Sequence, residues 1–312
     1  VPTQAAPAAP RERVNVTTHL FKAVIDSERA TVNYLELLKI DEADRTNQVV
    51  LSENDSPATR YVAQTGLLSQ TGEAFPNHLT PMTPKAGPRE MAEGQNTLEV
   101  SFESAPSGGL KYVKTYVFKR GEYTVGVRHE VVNVSDQPRD AQLYMQLLRH
   151  GTVAAGTMFG TNTFTGPAAY TNEKKFHKLD FKDIAKGKVE PPPPANDGWI
   201  AMVQHYFVSA WLLKGDPASE QLRREFRVKD LGDNLFTVAM VATLPKIAPI
   251  QTLVVNSELL AAPEEEKKLE AIAPGLDLVK DYGIFAIISK PLYWLLNQLH
   301  GTVGLSYGWV LV

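Results

Sequence analysis

The stretch Leu110-Lys111-Tyr112-Val113-Lys114-Thr115-Tyr116-Val117-Phe118, followed by Lys119-Arg120-Gly121-Glu122 and then by a second apolar, β-branched run over 123–134, decides the fold. Each arm alternates strand-forming residues, and the glycine supplies the permissive turn position of a β-hairpin. In the first arm Tyr112, Tyr116 and Phe118 share one face and Val113, Thr115 and Val117 the other. Neither face is plainly polar, which predicts a strand covered on both sides.

The same texture extends in both directions. Strand candidates are 14–25, 30–40, 59–64, 97–103, 141–150, 199–213, 222–228, 235–244 and 251–260. Ten or more strands require two stacked sheets or a closed barrel. Residues 65–96, with their prolines and glycines, and 160–198, which hold Pro191-Pro192-Pro193-Pro194, read as long loops. Residues 1–13 are Pro/Ala-rich and read as an extended linker. The organisation expected is thus a linker over 1–13, a β-domain over 14–262 and a helical segment over 263–303. Residues 304–312 read as the start of a transmembrane helix cut short.

The period changes after Pro263. Pro263-Glu264-Glu265-Glu266-Lys267-Lys268 sets proline and acids ahead of lysines, the order a helix dipole favours, and predicts a short helix. Farther on, Ile284, Phe285, Ile288, Leu292, Leu295, Leu296 and Leu299 fall in an arc of roughly 120° at helical spacing, an amphipathic helix that Pro291 either kinks or starts. Tyr293 and Trp294 flank the stripe, and Trp309 opens the final apolar run. Aromatic residues beside such a stripe suit a membrane interface as well as packing against the β-domain.

Composition narrows the chemistry. The chain has 312 residues, 43% of them hydrophobic, enough to bury a sizeable core. Its net charge of −3 comes from interspersed charges, so nucleic acid is not an expected partner. The absence of cysteine removes disulfides, thiol nucleophiles and thiolate metal sites. No two of the 7 histidines have metal-ligand spacing, and His129 and His205, inside strand patterns, read as hydrogen-bonded core residues. Gly304-Leu305-Ser306-Tyr307-Gly308 satisfies G-x-S-x-G, but neither an acid nor a histidine follows it, so it is no nucleophile elbow. Carboxylates such as Asp26, Asp136 and Asp180 occur in turn-like segments and suit caps. No catalytic residue, metal site or cofactor is assigned.

Distinctive segments then point to a family. Ala273-Pro274-Gly275-Leu276-Asp277-Leu278-Val279-Lys280-Asp281-Tyr282-Gly283, followed by Ile288-Ser289-Lys290-Pro291-Leu292 and Leu295-Leu296, resembles the end of the large periplasmic domain of the YidC/Oxa/Alb family of bacterial membrane-protein insertases. Ala92-Glu93-Gly94-Gln95-Asn96, Lys114 to Tyr123 and Gly198 to Phe207 are similar to the same domain. The resemblance spans roughly 14–312, except that 41–90 carry no match.

It implies a mainly β fold, a β-supersandwich of the galactose-mutarotase-like kind with short C-terminal helices, on the periplasmic face of the Gram-negative inner membrane. It also implies an interfacial role for the amphipathic helix, with Ile284, Phe285, Ile288, Pro291, Leu292, Tyr293, Trp294, Leu295, Leu296, Leu299 and Trp309 as membrane-interface or partner-binding residues. The implied partners are the Sec translocon with its SecDF accessory subunits, and nascent inner-membrane proteins acting through a transmembrane core outside these residues. Two functional expectations follow. The first is a non-enzymatic scaffold and chaperone that assists insertion and folding of membrane proteins. The alternative is a carbohydrate- or peptide-binding module using a cleft of the sandwich, and fold analogy alone warrants that weakly.

Overall fold

The computed structural model describes residues 13–27, 29–38, 48–53, 60–152, 164–264 and 266–280. Among the described residues seventeen strands form two sheets in which every pairing between strands is antiparallel. The first sheet contains β1 (Arg13–Thr17), β2 (Phe21–Asp26), β3 (Thr31–Leu37), β4 (Gln48–Ser52), β5 (Tyr61–Leu68), β10 (Gln142–His150), β15 (Arg224–Asp230) and β16 (Leu235–Thr243). Their order across the sheet is β1-β2-β3-β4-β5-β10-β16-β15. The second sheet contains β6 (Met82–Pro84), β7 (Thr97–Ser104), β8 (Leu110–Lys119), β9 (Thr124–Asn133), β11 (Gly166–Thr171), β12 (Lys175–Lys178), β13 (Trp199–Val203), β14 (Phe207–Leu212) and β17 (Thr252–Pro263). Its order is β12-β11-β13-β14-β17-β9-β8-β7-β6.

The hairpin read first from the sequence is β8 and β9, joined at Gly121, whose φ of 79° needs a residue without a Cβ. Both faces of β8 are buried at its centre: Tyr112, Lys114 and Tyr116 point inward, and Val113 and Thr115 lie buried on the outer face. The inner faces of the two sheets share one hydrophobic core, in which Phe21, Leu35, Leu143, Met145, Phe102, Phe118, Trp211 and Met240 are all buried. The sandwich arises because period-2 strands each present an apolar row that only another sheet can cover.

Several expectations need correction. Residues 14–25 form two strands, split at Thr18, whose hydroxyl accepts from the Leu20 and Phe21 amides. Residues 199–213 also form two, β13 and β14, and His205 sits exposed in the turn between them instead of in the core. The segments read as loops contain β6, β11, β12 and α1 (Phe181–Ala185), and β4 lies in another stretch given no strand. Short edge strands such as β12, with sequence KFHK, carry too little apolar alternation to stand out. A second short helix, α2 (Pro217–Glu220), follows β14 and is capped by Asp216. No helix among the described residues is long and apolar enough to cross a membrane.

Candidate functional site: the dock of the C-terminal segment

Beyond β17 the chain forms α3 (Glu266–Ile272) and a 3₁₀ turn (Leu276–Val279), and this segment lies on the outer face of the second sheet. The dock is written into the strands beneath it. β13 reads Trp-Ile-Ala-Met-Val, with all five residues buried: Ile200 and Met202 enter the intersheet core, while Trp199, Ala201 and Val203 face outward into a second cluster. Ala168, Ala210 and Ala262 continue that outer surface, and their small side chains leave room for Leu269, Ala273, Leu276 and Val279 from above. Leu269, Ile272 and Ala273 recur at three- and four-residue spacing, which puts them on one face of α3.

Two side chains hold the segment by its backbone. Trp199 Nε1 donates to the Pro274 carbonyl at 3.0 Å, and Lys214 Nζ donates to the Ile272 carbonyl at 2.8 Å. Both acceptors lie at the end of α3, where carbonyls lack helical partners and favour cations. Pro274 cannot continue the helix, and Gly275 reverses the chain at φ 72°. A Cβ on Gly275 would run into the Tyr170 ring, which itself stacks on Trp199 with centroids 5.5 Å apart.

A cavity of about 230 Å³ opens at this root, between Tyr170, Trp199, Lys214, Glu220, Arg224 and Pro274. Its charged groups serve the fold. Arg224, 2% exposed, donates to the carbonyls of Leu222, Gly198, Asn196 and Glu220, and burial lowers its pKa to about 10. Asp197 accepts from the backbone and side-chain amides of Asn172.

The main concentration of buried titratable groups lies elsewhere, sealed between the sheets. Tyr112 Oη pairs with His129 Nδ1 at 2.5 Å, and His129 Nε2 with the Ser257 hydroxyl at 2.8 Å. Lys114 Nζ donates to the Ala30 carbonyl at 2.9 Å, which the Tyr116 hydroxyl also reaches at 2.7 Å. Burial drives the Lys114 pKa down to about 7 and holds His129 well below the usual imidazole value. His78, bonded to Tyr144, is lowered to about 4 by burial and then by the Lys114 charge. The core role expected for His129 is what the structure shows. Among the described residues no group of histidines and carboxylates could hold a metal ion.

The sequence-predicted interface residues, Ile284, Phe285, Ile288, Pro291, Leu292, Tyr293, Trp294, Leu295, Leu296, Leu299 and Trp309, all lie outside the described residues. So do residues 1–12 of the expected 1–13 linker, whose last residue, Arg13, instead opens β1, and the 304–312 stretch expected to begin a transmembrane helix, with its 304–308 motif. The dock residues Trp199, Lys214 and Gly275 were not singled out as a site. The available signal was β13 itself, whose outward positions are as apolar as its inward ones.

Sandwich and dock together define a class: a β-supersandwich domain that carries its C-terminal helical segment fixed to the outside of one sheet. Solved structures similar to it include a galactose mutarotase related enzyme from Lactobacillus acidophilus, with 10% identity, TM-score 0.49 and coverage of 80% of this chain and 97% of that one. Another is a galactose mutarotase-like protein from Lactobacillus casei, with 8% identity, TM-score 0.47 and coverage of 80% and 100%. The family described as YidC periplasmic domain matches residues 13–295, and the chain belongs to it. Curated relatives named membrane protein insertase YidC include those of Cupriavidus necator, 44% identical over 99% of this chain, and Burkholderia thailandensis, 43% identical over 97%. The chain spans about half the length of these relatives, 54% and 53% respectively.

Proposed function

We propose that this chain is the periplasmic scaffold of an inner-membrane protein insertase, acting without covalent chemistry. In this reading the sandwich presents docking surfaces to the Sec translocon and its SecDF accessory subunits, and it assists the insertion and folding of nascent membrane proteins. Residues 284–299 lie in the membrane interface and join the sandwich to the transmembrane core that handles the substrate. The observation that supports this most directly is the dock: a family member's C-terminal segment is held by Trp199, Lys214 and Gly275 just ahead of the amphipathic stretch. A rigid root gives that stretch a fixed departure point, so that the sandwich is held at a set place beside the transmembrane core as its accessory.

Complementation of an insertase-depleted bacterium tests the reading. Full-length protein lacking 14–260 should retain growth and insertion of a small phage coat protein, whereas protein lacking 284–300 should lose both. Loss with the first deletion and survival of the second would transfer the essential role to the sandwich and overturn the assignment.

A further inference from the structure

One end of the sandwich, where β10 finishes and β13 turns into β14, places polar groups between the sheets. Arg149 extends the inward row of β10 beyond Met145 and Leu147, in register with Tyr61 on one side and Phe236 on the other. Ser209 stands on the inward row of β14, which continues with Trp211 and Leu213. The Ser209 and Gln204 side chains face the Tyr61 hydroxyl from the other sheet. Gln204 Nε2 ties its turn to the first sheet by donating to the Val50 carbonyl at 3.4 Å.

Hydrogen-bonding capacity is left over at this end. Arg149 Nη1 donates to the Val203 carbonyl at 3.3 Å, and the guanidinium lies 5.5 Å from the centre of the Tyr61 ring. No carboxylate among the described residues pairs with it, and burial lowers its pKa with Tyr61 alone opposing the shift. Tyr61 is 5% exposed and Ser209 fully buried, yet neither hydroxyl has a hydrogen-bond partner among the described residues. Arg224 shows the contrast: it is buried more deeply, but four carbonyls take up its N–H groups. A desolvated cation without a counter-charge, beside two unbonded hydroxyls, costs free energy that an arriving anion recovers.

We infer that Arg149, Tyr61 and Ser209 form a receptor for a single carboxylate, the guanidinium balancing its charge and the two hydroxyls donating to its oxygens. One positive charge calls for one negative charge. A carboxylate matches the planar guanidinium fork and is small enough to stand between facing side chains. Arg149 is only half-buried, and His205 and Tyr206 in the adjoining turn are exposed, so the receptor has a way in from solvent. The carboxylate is an acidic side chain or C-terminus of a partner polypeptide, or a free carboxylic acid. The inference does not depend on the scaffold reading, and complementation tests that reading separately.

The full chain with arginine side chains labelled at Nε with nitrogen-15 is titrated with acetate and followed by NMR, the Arg149 resonance being the one lost in Arg149→Gln. A saturable shift of that resonance at millimolar acetate is expected. Parallel titrations use a blocked tripeptide with a central aspartate, its asparagine counterpart, and dimethyl phosphate. A shift with the aspartate peptide and none with the asparagine one identifies a polypeptide partner; a shift with acetate alone identifies a free acid. Ser209→Ala and Tyr61→Phe should each weaken acetate binding about two- to tenfold. Without acetate both variants should keep or raise Tm, since each removes a buried hydroxyl that has no bond to lose.

Three results overturn the inference. No saturable shift with acetate or the aspartate peptide means that no carboxylate site exists, while the scaffold reading stands or falls by complementation. Tighter binding of dimethyl phosphate than of acetate replaces the carboxylate by a phosphodiester such as a lipid headgroup. A lower Tm for Ser209→Ala or Tyr61→Phe without acetate means that the hydroxyls already have bonds within the fold and the receptor is closed.

Discussion

The two halves of the second sheet's outer face are built to opposite specifications. Over β11, β13 and β14 the outward positions are Ala168, Tyr170, Trp199, Ala201, Val208 and Ala210, all buried beneath α3 and the 3₁₀ turn. Over β7, β8 and β9 the outward positions carry ion pairs instead: Arg128 to Glu99 at 3.1 Å and to Glu130 at 3.3 Å, and Lys111 to Glu103 at 3.1 Å. One half is a receptor for the chain's own C-terminal segment, and the other is a surface made to meet water and charge. The difference shows that a strand's outward residues report what covers it, independently of the core that its inward residues share.

The sharpest way to break this comparison is to empty the covered half. Trp199→Ala removes a buried indole, its stacking on Tyr170 and its bond to Pro274, so it should cost about 3–5 kcal/mol in urea unfolding. Limited proteolysis should then cleave within 266–280 at concentrations that leave the parent intact. An unchanged cleavage pattern would mean that the segment is held without its dock.

The inner face beneath the charged half gives the next effect, through pH. Lys114 has a folded pKa of about 7, well under its unfolded value, because burial disfavours the ammonium. Between pH 7 and about 10 the unfolded chain therefore binds more protons than the folded one, so stability rises with pH there, by at most about 1.4 kcal/mol per unit. Below pH 7 both states hold the proton and this contribution stays at its least favourable. His78 acts at lower pH: its folded pKa of about 4 means that stability falls as pH drops from about 6.5 toward 4. Lys114→Met should flatten the rise between pH 7 and 9 and, because it also removes the charge that helps to lower His78, make the acid limb shallower, read from unfolding midpoints across the whole range. A slope that persists in the variant would assign it to another group.

A smaller change sharpens the account of the dock. Gly275→Ala adds a Cβ that meets Tyr170 and forces a left-handed backbone on alanine, at about 1–3 kcal/mol. Its protease pattern should match that of Trp199→Ala, because both loosen the same segment. A loss of stability without new cleavage in 266–280 would separate the turn's strain from the docking.

Much of this was legible in the sequence. Alternation and turn chemistry at 110–134 gave the central hairpin, and the acid-then-lysine order after Pro263 gave α3, since both signals are local. The strands β6, β11 and β12 were not legible, because Pro, Gly and Lys occupy them; β6 and β11 also pair with strands some twenty to thirty residues on, and β12 is only the short edge arm of a hairpin with β11. The dock was legible only in part. Trp199 to Val203 is apolar on both faces, but that Trp199 and Lys214 would meet the carbonyls of Pro274 and Ile272 depends on a return of the chain 75 and 58 residues later.

The smallest effect is the control that gives the others meaning. Glu99 is 47% exposed and Arg128 35%, so their bond lies in a high-dielectric setting where Coulomb attraction barely exceeds the entropy of ordering two long side chains. Glu99→Gln should shift stability by less than about 0.5 kcal/mol and leave the protease pattern of 266–280 unchanged. The Arg128 pKa, raised chiefly by Glu99, should fall back without consequence, because the guanidinium stays charged at any pH where the protein is folded. A larger loss would mean that the ion pairs on this half act as a covering layer, holding Val113 and Thr115 out of water as α3 does for Trp199. The two halves would then be two solutions to one burial problem, and the charged half would lose its claim to be a surface left open for partners.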